Sequence, residues 1–439
     1  MITKPFHNAT IQTIFSSERT LFYWVKVESS LAAVQGRLGV IPADSAEIIQ
    51  IRTATFQPDW PALQAAIDKS GVPIAELVRQ LRRHVGLPHG NFVHYGATTQ
   101  DVMDTALVLQ LRACCVGIRP KLNQLITTLA NLADTHRQTL MAGRTHSQQA
   151  LPLTFGLKVA NWLAPLIRHR TRLSELLSRL LAVQFGGAAG TLSALGEHGV
   201  AVQAELAAEL ELTVLPTPWH NQRDTLVEFA NWLGLVTGSL AKIGQDIILM
   251  AQSEVAELRE SADPTRGGSS TMPQKRNPIQ SEMLVAAHRT NVGLLANMHQ
   301  TLVHEHERAV GNWQVEWLNL PQMVSLTAAA LDRAVWLGEN LVVRVDQMRA
   351  NVAASNGVML GEAINFALAA HVDRAEAKRL IKHAVTTVLA EDKHLVDVVR
   401  DLVPIEVASQ IDWDTLRDEA NYLGSADQLI NQTIAAANA

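Results

Sequence analysis

The segment Gly267-Gly268-Ser269-Ser270-Thr271-Met272-Pro273-Gln274-Lys275-Arg276-Asn277-Pro278 gathers hydroxyls, an ammonium, a guanidinium and an amide behind a Gly-Gly pair. Such a loop can bind a carboxylate or a phosphate and can close as a lid. Its last residue, Pro278, is suited to start a helix. The same composition also fits a solvated interhelical linker, which most such loops are. Three further stretches interrupt helical patterning with polar and small residues. They are His94-Tyr95-Gly96-Ala97-Thr98-Thr99-Gln100-Asp101, Gly143-Arg144-Thr145-His146-Ser147-Gln148 and Trp219-His220-Asn221-Gln222-Arg223-Asp224.

Other candidate groups read as structure. His304-Glu305-His306-Glu307 lacks the i, i+4 histidine pair of a zinc helix and has no cysteine nearby, so no metal is expected. Gly186-Gly187-Ala188-Ala189-Gly190 follows a helical stretch and lacks the Lys-Ser/Thr of a phosphate loop, so it reads as a turn or a tight packing site. Trp313 and Trp317, four residues apart, read as core or interface packing. His94 and His220 each fit a pocket wall or a hydrogen-bonded structural role.

The elements that must position these segments are long helices. Leu226, Phe229, Leu233, Val236, Leu240, Ile243, Ile247 and Met250 alternate spacings of three and four, a heptad seam. Asp224 suits the unpaired amides of that helix's first turn, and the helix is expected to run to about Glu260. Further seams follow Pro120 (Leu122, Leu125, Leu129, Leu132), run from Leu157 to Val183 with a kink at Pro165, follow Pro278 to roughly Val310, and run from Pro321 to about Ala354. The expected fold is all-α: an elongated central long-helix bundle, residues 106–355, between a helical N-terminal domain, 1–105, and a helical C-terminal domain, 356–439. Several apolar stripes look wider than one neighbour in the chain would need, which predicts a homo-oligomer.

The chain has 439 residues, with 37 Lys+Arg against 42 Asp+Glu, a formal net charge of -5 and 47% hydrophobic residues. That length supports a large core without disulfide or metal staples, and the composition excludes a disordered chain. Mild acidity argues against nucleic acid as a partner. No uninterrupted apolar run reaches the ~18 residues of a membrane span. Cys114 and Cys115 are adjacent and cannot form a disulfide framework, so a reducing compartment is expected. Met1 to Thr13 has neither an apolar signal core nor an Arg-rich amphipathic pattern, and a cytoplasmic protein is the reading.

The 267–278 stretch resembles the complete signature loop of the fumarase/aspartase superfamily, GSSxMPxKxNP, and the other three polar stretches follow that superfamily's order. Within it, the chain looks most like the 3-carboxy-cis,cis-muconate cycloisomerase group. The pieces that carry this are Gly96 to Thr105, Trp219 to Asp224, and Glu305-His306-Glu307-Arg308-Ala309 followed by Trp313 and Trp317. Adenylosuccinate lyase is the nearest competitor, although Met1–Phe15 lacks its Arg-Tyr-Ser element.

The resemblance implies a homotetramer whose active sites each draw on three subunits, acting without a cofactor on a small di- or tricarboxylate. It implies proton transfer at a carbon beside a carboxylate through an aci-carboxylate intermediate. Ser269 would be the catalytic base, with Lys275 stabilising its alkoxide, and His146, paired with Glu282, the second proton-handling group. Lys275 and Asn277 would hold a substrate carboxylate. Thr98, Thr99, Thr145, Gln222, Ser270, Arg276 and His94 are further expected binding residues. The activity implied is that of a 3-carboxy-cis,cis-muconate cycloisomerase. The alternatives are a fumarate-releasing C–N lyase, such as adenylosuccinate lyase or another succinyl-adduct lyase, and more remotely a structural scaffold that has lost catalysis.

Overall fold

A computed structural model describes residues 1–308 and 311–439. The all-α class is borne out. Five long helices carry the chain: Thr99–Thr135, Phe155–Leu180, Asp224–Met250, Ile279–Gln300 and Asn312–Asn340. The only sheets among the described residues are two two-stranded pieces. All eight residues of the 226–250 seam are buried, and Asp224 is the first residue of that helix. This helix is also long and apolar enough to cross a membrane by length and composition, and 56% of its most apolar window is buried inside the protein.

Helix ends differ from the sequence reading in three places. The Asp224–Met250 helix stops ten residues short of Glu260, where Glu257 and Leu258 turn inward and Leu258–Arg259 pairs antiparallel with Val342–Val343. That short strand pair also ends the Asn312–Asn340 helix before Ala354, and a separate helix, Val345–Ala353, follows. The helix after Pro278 ends at Gln300. Val310, its expected end, and Ala309, part of the motif that carries the resemblance, lie outside the described residues.

The chain divides into two compact units, each gathered from three stretches. The first holds residues 1–121, 169–238 and 286–331. Its helices Ser17–Arg37, Ala43–Thr53 and Ile74–Val85 pack around Leu31, Val34, Ile49, Leu77 and Leu81, all buried. The second holds residues 122–168, 239–285 and 332–439. Its C-terminal helices bury a cluster including Ile364, Leu368, Leu380, Leu395 and Val399.

Within the second unit, residues expected only to break helical patterning form a hairpin, Leu140–Thr145 with Gln148–Thr154. His146 and Ser147 are its two-residue turn, at φ 50° and 63°. Positive φ at both turn positions matches the right-handed twist of the flanking strands. The hairpin packs against the Val345–Ala353 helix.

Candidate active site

The second unit contains the signature loop, the hairpin turn and the 257–260 stretch that contacts both the hairpin and the helix following the loop. The loop is pinched at its neck. The Asn277 amide donates to the Gly267 carbonyl at 2.8 Å, and Gly268 bridges Arg276 antiparallel. Gly267 is required here: φ is +67°, and a Cβ would sit 2.4 Å from the Asn277 carbonyl oxygen. Ser269 Oγ accepts hydrogen bonds from the Thr271 and Met272 amides, at 3.3 and 3.2 Å. Two amide donors on one hydroxyl oxygen favour its alkoxide over its neutral form.

Lys275 is exposed and has no side-chain hydrogen bond or ion pair among the described residues. Arg276 instead spends its guanidinium on the Pro273 and Lys275 carbonyls, holding the loop's shape. Ser270 is exposed beside the Thr271 hydroxyl. Asn277 is half-buried at the neck, its side chain without a hydrogen bond among the described residues. Glu282, exposed in the first turn of Ile279–Gln300, forms no hydrogen bond or ion pair with His146 within this chain. Thr145 and His146 are exposed at the hairpin tip.

Two carboxylates unremarked in the sequence, the buried Glu257 and the partly buried Glu260, tie these parts together. Glu257 takes both guanidinium nitrogens of Arg144, at 2.8 and 2.6 Å, and the Asn351 amide at 2.9 Å. It thereby anchors the hairpin strand that leads to His146. Glu260 accepts from the Gln280 and Ser281 amides and from the Ser281 hydroxyl, satisfying the N-terminal amides of the helix that carries Glu282.

A cleft of about 730 Å³ opens at the loop's root. Arg259, Arg266, Lys275, Arg276 and Arg344 line it against two carboxylates, Glu260 and Glu282. Since Glu260 is engaged by the helix terminus, the cleft offers a surplus of cations to an anionic ligand. Asn277 also lines it, whereas Ser269 and His146 do not.

The first unit brings together the remaining polar segments. Asp101 is buried and accepts four hydrogen bonds, from the Thr98, Gly186 and Gly187 amides and the Gln184 side chain. It reaches back to Thr98 as one half of a capping box, and it fastens the 186–190 turn to the same point. Burial pushes its carboxyl up to about 6, against the four hydrogen bonds that pull it down. Gly190 packs on the His220 ring, where a Cβ would meet Cε1 at 2.7 Å.

Arg223 is fully buried between two carboxylates, Asp104 at 2.6 Å and Glu316 at 2.5 Å. The Trp313 indole donates to Asp104, and Gln100 donates to Asp104 and to the His220 carbonyl. Thr98 Oγ1 lies 3.5 Å from Arg308, whose guanidinium also donates to the Ala188 carbonyl. Thr99 starts the Thr99–Thr135 helix, and Gln222 is exposed, with no side-chain hydrogen bond among the described residues. His304 has both ring nitrogens buried without a hydrogen-bond partner among the described residues; burial and the nearby Arg223 push it down to about 4. Signals for some of these partners were present in the sequence. Thr98-x-x-Asp101 is a capping-box spacing, and Arg223 falls within a singled-out run. Pairing across 119 residues, as for Arg223 and Asp104, leaves no local mark.

A largely helical chain thus carries a cation-rich cleft beneath a hydroxyl-bearing loop, a surface that attracts anions. Residues 15–293 match the family described as Lyase, and the chain belongs to that family, part of the fumarase/aspartase superfamily. Among its relatives, the 3-carboxy-cis,cis-muconate cycloisomerase of Pseudomonas aeruginosa is 41% identical over 98% of this chain and 95% of its own. Trans-aconitate decarboxylase 1 of Mycosarcoma maydis is 36% identical over 98% of this chain and 87% of its own. The crystal structure of the 3-carboxy-cis,cis-muconate lactonizing enzyme from Pseudomonas putida superposes with a TM-score of 0.93 at 38% identity, covering 100% of this chain and 99% of that one. The resemblance read from the four polar segments is thus borne out.

Proposed function

We propose that this enzyme is of the 3-carboxy-cis,cis-muconate cycloisomerase type. A carboxylate of the substrate adds across a C=C bond of the same molecule. The displaced electron pair moves onto the neighbouring carboxylate as an aci-carboxylate, and the α-carbon then takes a proton. The extensive similarity to cycloisomerases carries this reading. Ser269 supports it locally, because an oxygen already receiving two amide donors can serve as alkoxide when the lactone opens and as proton donor when it closes. Lys275 and Asn277 hold a substrate carboxylate, and the surrounding arginines tolerate the added charge. His146 is the second proton-handling group, with Glu282 of another subunit setting its basicity. Thr98, Thr99, Thr145, Gln222, Ser270 and His94 supply further donors, and the working form is a homotetramer. The reaction is redox-neutral and needs no electron carrier.

The similarity to a trans-aconitate decarboxylase favours a second reading. Loss of carbon dioxide from a tricarboxylate leaves a carbanion that the same cleft would stabilise. Ultraviolet absorbance followed in parallel with 3-carboxymuconate, trans-aconitate, adenylosuccinate, argininosuccinate and fumarate plus amines separates these. Turnover of 3-carboxymuconate is expected; turnover of another compound with none of 3-carboxymuconate would overturn the assignment. On the true substrate, Ser269→Ala is expected to lower kcat by about 10²–10⁴ or more, and full activity in that variant would remove Ser269 as the base.

A further inference from the structure

His94 sits on a residue outside the four polar segments. Its Nδ1 lies 2.6 Å from a carboxylate oxygen of Glu28, a buried residue of the Ser17–Arg37 helix. The other Glu28 oxygen is buried without a hydrogen-bond partner among the described residues. His94 itself adopts a left-handed backbone conformation, φ 63°. That conformation is uncommon for a residue with a side chain and marks a constrained position. The ring keeps partial exposure, 16%, and its outer nitrogen Nε2 has no partner among the described residues. Glu28 thus grips one nitrogen and leaves the other available. Four residues on, Thr98 begins the binding loop that Asp101 fastens.

We propose that Glu28 is a positioning residue: it holds His94 as an imidazolium and presents Nε2–H as a charged donor to a substrate carboxylate. This rests on the reading of His94 as a substrate-binding residue and adds its charge state and the group that sets it. A carboxylate buried with a single partner leaves the imidazolium as its natural counter-ion. Three charged groups act on the ring from the elements packed around it. Glu28 and Asp101 favour the charged form, while Arg82, on the Ile74–Val85 helix, and burial oppose it. Burial is the strongest single influence, yet the balance raises His94 above the ordinary histidine value.

The sign follows directly. KM for the anionic substrate is low while His94 is charged and rises as pH climbs through its raised pKa. Glu28→Gln keeps the shape and removes the charge, so this rise should move to lower pH. At pH 7 KM should increase about tenfold with kcat nearly unchanged, the size expected for losing one charge-assisted hydrogen bond. His94→Gln should raise KM similarly and abolish that limb of the profile. An unchanged KM profile in Glu28→Gln overturns the role of Glu28. An unchanged KM in His94→Gln instead overturns the binding reading beneath it. Should Glu28→Gln not fold, NMR titration of the His94 ring in the unaltered protein decides: a pKa above the usual ~6.5 supports the proposal, and one at or below it refutes the proposal.

Discussion

Arg223 shows how strongly the site's scaffold leans on single buried charges. Its guanidinium neutralises Asp104 and Glu316, and all three side chains are essentially sealed from solvent. Removing one partner of such a set leaves uncompensated charge, which is far costlier than the set's net worth. Arg223→Met should therefore lose about 3–5 kcal/mol of stability near neutral pH, read by denaturant unfolding. The deficit has a direction with pH. Burial already raises Glu316 against the pull of Arg223. Without the arginine, Glu316 would titrate further above its unfolded value, so the folded state would bind more protons than the unfolded one. Relative to the parent, the variant should regain stability as pH falls from 8 towards the ordinary carboxylate range. A deficit independent of pH would mean that packing, not charge, is what Arg223 supplies.

At the scale of elements, the signature loop is a stiff-necked flap. Its shape comes from the Gly267–Asn277 pinch, the amides on Ser269 and the inward-turned Arg276. Gly267→Ala should open that pinch, because its Cβ would collide with the Asn277 carbonyl in a conformation alanine disfavours. The strain falls on a mostly exposed loop, so unfolding stability should change by only about 1 kcal/mol. Misplacing Ser269 by an ångström should cost kcat/KM about 10²-fold; a variant with parental kcat/KM would show that the pinch does not shape the catalytic loop.

Much of this was legible in the chain. The 226–250 seam predicted a buried helix from Asp224, whereas the composition of the Gly-Gly loop fitted a solvated linker equally and its resemblance to the superfamily signature set it apart. The hairpin at 140–154 was not legible. Its turn is His146-Ser147, without the Asn-Gly or Asp-Gly that usually signals two positive φ values. Nor were the stops at Met250 and Asn340, because the Leu258–Arg259 and Val342–Val343 pairing that fixes both is non-local. The anchors Glu28, Glu257 and Glu260 escaped for a similar reason: a lone glutamate in a helical or loop sequence looks like solvated surface until its distant partner is known.

At the scale of the whole molecule, the question is where His146 finds its carboxylate. Within one chain it has neither hydrogen bond nor ion pair to Glu282, although both are exposed and available. Apolar side chains such as Val292 and Leu318 stand exposed on the long helices, a pattern that association of copies would cover. If copies assemble with shared sites, the particle in light scattering should weigh four times 47.9 kDa. Two inactive variants should then repair each other. Ser269→Ala and His146→Asn are each expected to be nearly inert alone. Co-refolded in equal amounts, with the two residues drawn from different subunits, about a quarter of the sites would receive an intact pair. Recovery of activity in that mixture would place Ser269 and His146 of one site on different chains. A tetramer whose mixed variants stay inert would confine the pair to a single chain, and the reach of the hairpin turn towards its own signature loop would then have to explain catalysis.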